Sequence, residues 1–259
     1  MRLTFAGIMH IPMVEPGDDL TGLILKGIAD SGEVIEDDDV LVVAQKIVSK
    51  AEGRYLDLRT VTPSAEALEL AERVDKDPRK VQAILDESNE VVRARPGVLI
   101  VEHRLGFVHA NAGIDQSNIP PGEDDPDDMC LLLPVDPDSS AARLRDEILA
   151  RTGRQVGVII NDSLGRSWRI GTLGLAIGVA GFTALEDYIG GSDIFGRELQ
   201  VTQVAAADEI AAGASLVMGQ TTEKTPAVLV RGYQPREPGE ASQRGVRPLL
   251  RPKEMDLFR

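Results

Sequence analysis

The stretch Val156-Gly-Val-Ile-Ile160-Asn161-Asp162-Ser163-Leu-Gly-Arg166-Ser-Trp168-Arg169 decides how this chain is read. Val156 to Ile160 is a short unbroken apolar run, the pattern of a buried strand. An aspartate then stands where apolar residues give way to Asn, Ser and Gly. The chain continues not into a crossover helix but into a second apolar run, Thr172 to Leu185, broken by Gly174, Gly178 and Gly181. No Gly-x-Gly-x-x-Gly opens a helix and no Gly-x-x-x-x-Gly-Lys-Ser/Thr is present, so a Rossmann arrangement and a P-loop are both excluded as readings. A bound nucleotide has to be held some other way.

Working outward, the same change of character recurs upstream. Val98 to Val101 and Gly106 to His109 read as strands, and Asn111-Ala-Gly-Ile-Asp115-Gln-Ser-Asn118 comes directly after them. Aspartate is a common turn and cap residue, but the parallel contexts of Asp115 and Asp162 point to a shared hard divalent cation. Asn118 and Ser163 offer neutral oxygens to it. The apolar run Asp39 to Ala44 leads into Gln45-Lys46-Ile-Val-Ser49-Lys50-Ala-Glu-Gly53. Two lysines just past a buried strand suit phosphate oxygens, and a solvent-facing pair explains them equally well. Arg166 and Arg169 flank Trp168, either as guanidinium ligands for an anion or as surface ion pairs. In Met218-Gly219-Gln220-Thr221-Thr222-Glu223-Lys224-Thr225, Gly219 allows close backbone approach to a ligand, although a helix-terminal glycine accounts for it as well. His10, His103 and His109 are scattered and read as structural.

Helices are expected over 19–29, 64–74 with Ser64 as N-cap, 78–92 with Pro78 in the first turn, 139–152 ending at Gly153, and 201–214. Strands are expected over 39–44, 98–101, 106–110, 156–160 and 227–231. This irregular order gives an α+β class with mixed sheets. The 259 residues, 42% hydrophobic and 27% charged, suit an ordinary globular chain. Acids outnumber bases 42 to 28, and a net charge of −14 argues against non-specific nucleic-acid binding. Cys130 is the only cysteine, which excludes an intrachain disulfide and leaves it as a small apolar filler. Residues 119–128 read as a solvated acidic loop, and the tail from Gln234 as an arm over a neighbouring subunit or a mobile end. The longest apolar run is too short to span a bilayer and no signal segment is visible, so a soluble cytoplasmic protein is expected.

Five ordered segments together resemble the coenzyme F-420-0:L-glutamate ligase (gamma-glutamyl ligase) family. They are Ile11-Pro-Met-Val14 with Gly17-Asp-Asp-Leu20, Lys46 to Gly53, Ala110 to Asn118, Asn161 to Trp168, and Met218 to Thr225. The resemblance implies two interlocked subdomains forming one catalytic unit over 1–259, a homodimer, and no membrane or nucleic-acid partner. It implies a ligase that uses GTP, two divalent cations (manganese or magnesium) and a potassium ion. The substrates would be the deazaflavin coenzyme F-420-0 and L-glutamate, joined through an acyl phosphate, with later gamma-linked additions. Carried over by position, Asp115 and Asp162 hold one metal, Ser163 and Gln220 a second, and Lys50 acts with the aspartates in catalysis. Ile11, Pro12, Met13, Val14, Gln45, Lys50, Asn118, Met218, Gly219, Gln220, Thr221, Thr222, Glu223, Lys224 and Thr225 fall where the family contacts the nucleotide. The runner-up is another metal-dependent, nucleotide-using ligase or phosphotransferase with a different carboxylate substrate.

Overall fold

The computed structural model describes residues 2–122, 125–165, 169–234 and 245–256. In chain order the first elements are β1 (Thr4–Ile8), α1 (Leu20–Asp30), β2 (Val40–Ala44), α2 (Gln45–Ala51) and β3 (Tyr55–Asp57). Next come α3 (Ala65–Val74), α4 (Pro78–Asp86), β4 (Ser88–Arg95), β5 (Val98–His103), β6 (Val108–Ala110) and β7 (Met129–Leu131). The last are α5 (Pro137–Thr152), β8 (Gly157–Gly165), β9 (Thr172–Ala180), β10 (Glu186–Asp187), β11 (Gln203–Val204), α6 (Ala206–Met218) and β12 (Ala227–Arg231). The class is α+β, with several separate sheets.

The main sheet has the order β1-β12-β2-β8-β9. β12 is antiparallel to both β1 and β2, β2 is parallel to β8, and β8 is antiparallel to β9. β1, β2 and β8 therefore point the same way, and β12 starts at the end where those three deliver their C-termini. One face of the sheet buries Leu41, Val43, Val158 and Ile160 against Ile24 and Ile28 of α1 and Leu144 and Ile148 of α5. The other buries Val42, Ile159 and Val228 against Ala207, Ile210, Ala211 and Ala214 of α6. Alternation along each strand sends neighbours to opposite faces, and nearly continuous apolar strands result because both faces are covered. A third cluster joins Ala67, Val74, Val81 and Ile84 of α3 and α4 to Leu99 and Val101 of β5, Ile114 and Cys130. Cys130 is fully buried there, and burial pushes its thiol up to about 11. Filler is its role.

Three expected boundaries move by five residues or more. The helix expected over 78–92 stops at Asp86, and 88–95 forms β4. The missed signal is Pro96-Gly97: Arg95 pairs with Val98, making these two the tip of a tight turn with Gly97 at φ 76°. The helix expected from 201 begins at Ala206, where Asp208 and Glu209 complement the helix N-terminus. The strand expected to end at Ile160 runs on to Gly165, so Asp162 and Ser163 lie within it rather than beyond it. Its partner β9 explains the glycines: pairing passes from Ile160↔Gly178 to Asn161↔Ala176, leaving Ile177 as an extra, bulged residue. The bulge reverses the strand's parity. A Cβ at Gly174 would lie 2.5 Å from Ala211 O on α6, whereas one at Gly178 would lie 2.4 Å from Pro137 O on α5. Each glycine thus admits a helix backbone on its own side of the sheet. Asp208 and Asp138, one from each helix, accept the N–H groups of Ala176 and Val179 on this edge strand, at 3.0 and 2.8 Å.

The expected solvated loop is only partly so, because Asp128 is buried and accepts from Arg79 Nη1 at 2.9 Å. Residues 123 and 124 of that loop, and 235–244 and 257–259 of the tail, lie outside the described residues. Residues 245–256 pack on their own chain: Val246 N donates to Asp138, and Lys253 pairs with Glu102 at 3.0 Å. Among the described residues no helix is long and apolar enough to cross a membrane.

Between α4 and β4, Glu87 lies 2.6 Å from Arg104 Nη2 and 3.6 Å from both Arg54 Nη2 and His103 Nε2. Burial pushes the Glu87 carboxyl up, but His103 and the two arginines outweigh it and hold it below the ordinary glutamate value. A depressed carboxyl stabilises the fold above its unfolded pKa and loses that contribution as pH falls through the folded value. Glu87→Gln is expected to lower stability by about 1–3 kcal/mol at pH 7. The gap should narrow as pH falls below about 4, read by urea denaturation of both proteins.

Candidate functional site

The sheet end where β1, β2 and β8 finish collects four of the expected segments. The chain leaves β1 into 9–14, β2 runs directly into α2, β8 carries Asn161 to Ser163, and 219–226 leads into β12. Register ties them together: Ile8 pairs with Ala227, Ala227 with Val43, and Ala44 with Asn161, while Ala44 N donates to Pro226 O at 2.8 Å.

Asp115 reaches this end from the third cluster. Before it, Asn111, Ala112 and Gly113 all adopt left-handed φ (53°, 53° and 67°). A Cβ on Gly113 would lie 2.7 Å from Leu133 Cδ1, so glycine is required there on two counts. Left-handed backbone at consecutive positions persists only where its surroundings enforce it. Here the two-way backbone pairing of Asp115 with Leu131, at 3.0 and 2.8 Å, does so. The Asp115 carboxylate then accepts from Gln45 Nε2 at 2.7 Å and pairs with Lys46 Nζ at 3.0 Å. Gln45 is itself buried, and its Oε1 accepts from Ser49 Oγ at 3.0 Å. Burial pushes the Asp115 carboxyl up, Lys46 opposes this, Asp162 reinforces it, and the net direction is upward.

Adjacent strand residues face opposite ways, and this divides the site. Asp162 Oδ2 lies 3.1 Å from His109 Nε2. Ser163 Oγ, on the other face, donates to Gln220 Oε1 at 2.8 Å, and Gln220 Nε2 donates to Ser215 Oγ at 3.0 Å. His109 is the residue that sequence reasoning set aside. Its Nδ1 lies 2.7 Å from Ala110 O, so both ring nitrogens face acceptors and the imidazolium is favoured. Burial pulls its pKa down, but the Asp162 contact outweighs this and the net direction is upward. The available signal was its place at the end of the strand leading to Asn111.

Lys50 Nζ donates to Asn118 O at 2.8 Å, and Asn118 Nδ2 to Thr221 O at 3.3 Å, which links α2, the Asp115 segment and the 218–225 turn. Burial pulls the Lys50 ammonium down, and Lys46 adds to the shift. Glu223 folds over Gly219, accepting from Thr221 N at 2.8 Å and Thr221 Oγ1 at 3.1 Å, and its backbone carbonyl accepts from Thr225 Oγ1 at 3.3 Å. Lys224 has a left-handed φ of 54°, and Thr222 is exposed. Met218 is buried, its sulfur 3.5 Å from Asn161 Nδ2. Ile11 and Val14 are buried in the core, leaving Pro12 and Met13 as the outward side chains of that loop. Arg166 and Trp168 lie outside the described residues, and Arg169 is exposed.

No group of three His, Cys, Asp or Glu side chains among the described residues forms a ready cage. Asp115 and Asp162 act on each other across space, and the Asp115 carboxyl is pushed up even with Lys46 beside it. That donor set fits a hard cation completed by water and phosphate oxygens rather than a zinc-type centre. A separate cleft of about 680 Å³ lies between α1, the end of α2 and α5. Its two arginines are already paired, Arg143 with Glu52 and Arg151 with Asp19, and it holds none of these groups.

A family model described as F420-0:Gamma-glutamyl ligase matches residues 8–232. A Methanothermobacter thermautotrophicus protein named coenzyme F420:L-glutamate ligase is 47% identical over 259 residues, covering 100% of both chains. A protein of the same name from Methanocaldococcus jannaschii is 47% identical over 226 residues, 87% of this chain and 86% of its own. One from Archaeoglobus fulgidus is 43% identical over 259 residues, 100% of this chain and 97% of its own.

Proposed function

Since the chain belongs to the F420-0:gamma-glutamyl ligase family, we propose that it joins L-glutamate to the terminal carboxylate of the deazaflavin coenzyme F-420-0 and then extends a gamma-linked tail. It is a ligase forming a C–N bond, and GTP is the co-substrate of this reading. The observation that carries the reading is that Asp115 and Asp162, from segments far apart in sequence, act on each other across space, with Lys46 on Asp115 and Lys50 on Asn118 of the same segment.

A carboxylate does not condense with an amine in water unless it is activated. In this scheme a carboxylate oxygen of the acceptor attacks the γ-phosphorus, the bond to the β-phosphate oxygen breaks, and GDP leaves. The α-amine of glutamate, having lost its proton, then attacks the acyl carbon and inorganic phosphate departs. Bound manganese or magnesium ions, with potassium as a further cation, supply charge to offset that building on the phosphoryl oxygens. Asp115 and Asp162 hold one such ion, and Ser163 and Gln220, across β8, offer neutral oxygens to a second. Lys46 and Lys50 rest on Asp115 and on the Asn118 carbonyl until phosphate oxygens replace those partners. Gln45 fixes the Asp115 carboxylate, which keeps the donor in place without rearrangement. The exposed Ile194, Phe195 and Val201, on the arm joining β10 to β11, suit a homodimer contact.

Incubation with GTP, Mn²⁺, L-glutamate and F-420-0 is expected to give a product heavier by one glutamate residue, then by two. GDP release with no such mass gain would favour a phosphotransferase or a ligase for another acid.

A further inference from the structure

We propose that Lys80 is the cation that receives a carboxylate of the amino-acid substrate. The assignment rests on the ligase reading above and names the group that recognises its second substrate. Lys80 sits on α4, whereas Lys46 and Lys50 come from α2, so it meets the 115–118 segment from a different element. Lys46 contacts Asp115 and Ser117, Lys50 contacts Asn118, and Lys80 donates to the remaining member, Gln116 Oε1. Three lysines on four successive residues form a concentration of positive charge in a chain of net charge −14.

Lys80 differs from the other two in what it lacks. Lys46 has the Asp115 carboxylate, and Lys50 is assigned to phosphate. Lys80 is half-buried, yet among the described residues its one partner is a neutral amide oxygen, with no carboxylate at ion-pair distance. Burial pulls its ammonium below the ordinary lysine value and Lys76 adds to this, while Cys130, Asp127 and Asp115 compensate only in part. A desolvated cation without a counter-charge is costly unless an anion joins it. The side chain is also held in position: Gln116 Nε2 donates to Asp127 O at 2.7 Å, so the amide that receives Lys80 is itself anchored.

The surroundings select the anion. Lys76 brings a further positive charge to bear on Lys80 across space, and Asp127 and Asp115 bring negative charge, so the surroundings present both signs to whatever joins it. An amino acid carries an ammonium as well and satisfies both signs at once. Lys80 therefore fits a carboxylate of L-glutamate better than the anionic groups of the acceptor.

The test is calorimetric titration of the full chain with L-glutamate, in the presence of Mg²⁺, F-420-0 and a non-hydrolysable GTP analogue. Lys80→Met is expected to weaken glutamate binding tenfold or more, with the nucleotide dissociation constant within twofold of wild type. Lys80→Arg should stay within a few-fold for glutamate. In steady state the Met variant should raise KM for glutamate while retaining most of kcat, a split that general loss of structure would not produce. Wild-type glutamate affinity in Lys80→Met overturns the proposal, as does loss of F-420-0 binding with glutamate binding intact, or no glutamate binding by the wild type. Because no product need form in the titration, failure of the ligase reading shows separately, as an absent mass gain with wild-type enzyme.

Discussion

Asp162→Asn is expected to reduce glutamate ligation by about a thousandfold or more, and Asp115→Asn to match it, because each removes a carboxylate that would hold the cation offsetting charge on the transferring phosphoryl group. Neither should unfold the chain. Asp162 lies in a strand whose buried side chains are Val158, Ile159, Ile160, Asn161 and Leu164, and none of these changes. Asp115 offers a sharper stability test. Its raised carboxyl pKa means that the folded state holds the proton more tightly than the unfolded one, so ionisation destabilises the fold as pH rises through the interval between the two values. Asn at that position removes the burden while keeping an oxygen for Gln45, at the loss of the half-buried Lys46 pair. The ligand-free melting temperature of Asp115→Asn should therefore equal or exceed that of wild type at pH 7. Wild-type Tm should rise with Mn²⁺ and GTP, and that rise should be absent in both variants. Near wild-type ligation by either variant, or the same ligand-induced rise in Tm, would remove the carboxylate pair from the mechanism.

The second large effect is expected at Gly174, where alanine should destabilise the fold by about 2–3 kcal/mol. Its Cβ would stand 2.5 Å from Ala211 O, 2.6 Å from Asn161 Oδ1 and 2.7 Å from Ser215 Cβ, so β9 and α6 must separate. Asn161 is buried, and among the described residues its Oδ1 has no hydrogen-bond partner. Ser215 also positions Gln220, which meets Ser163, so the strain passes to the donors placed at the second cation. Gly178→Ala is the control. It clashes with Pro137 on the opposite face, at 2.4 Å, and should cost a similar amount of stability. Urea denaturation should show both losses. Titration of the folded proteins with Mn²⁺ in the presence of GTP should show weakened affinity for Gly174→Ala alone. Equal metal affinity in the two would mean that the α6 side of β8 has no part in the site.

Much of the frame was legible locally because it rests on local physics. Ser64 caps α3 by accepting from Ala67 N at 3.2 Å, Gly153 closes α5 with φ 71°, and the apolar runs at 39–44 and 227–231 are central strands. Cap chemistry and unbroken apolar runs depend only on neighbours along the chain. The helix expected through 78–92 failed for the opposite reason: residues 88–95 are a strand because β5 pairs with them. The glycines of the 172–185 run were visible as interruptions. That Gly174 and Gly178 serve opposite faces depends entirely on a one-residue bulge in the pairing with β8.

By itself, then, the order of residues determined the α+β class, the five segments that carry the family resemblance, and the two aspartates worth pairing, since residue types and short spacings suffice for each. Only the tertiary structure decided which groups meet. The shared direction of β1, β2 and β8 delivers their ends to one place, the turn at 111–113 brings Asp115 there, and alternation along β8 sends Asp162 and Ser163 to different partners. His109 and Lys80 were not legible for the same physical reason. A single titratable side chain takes its meaning from the charges around it, and those charges arrive from elements scores of residues away.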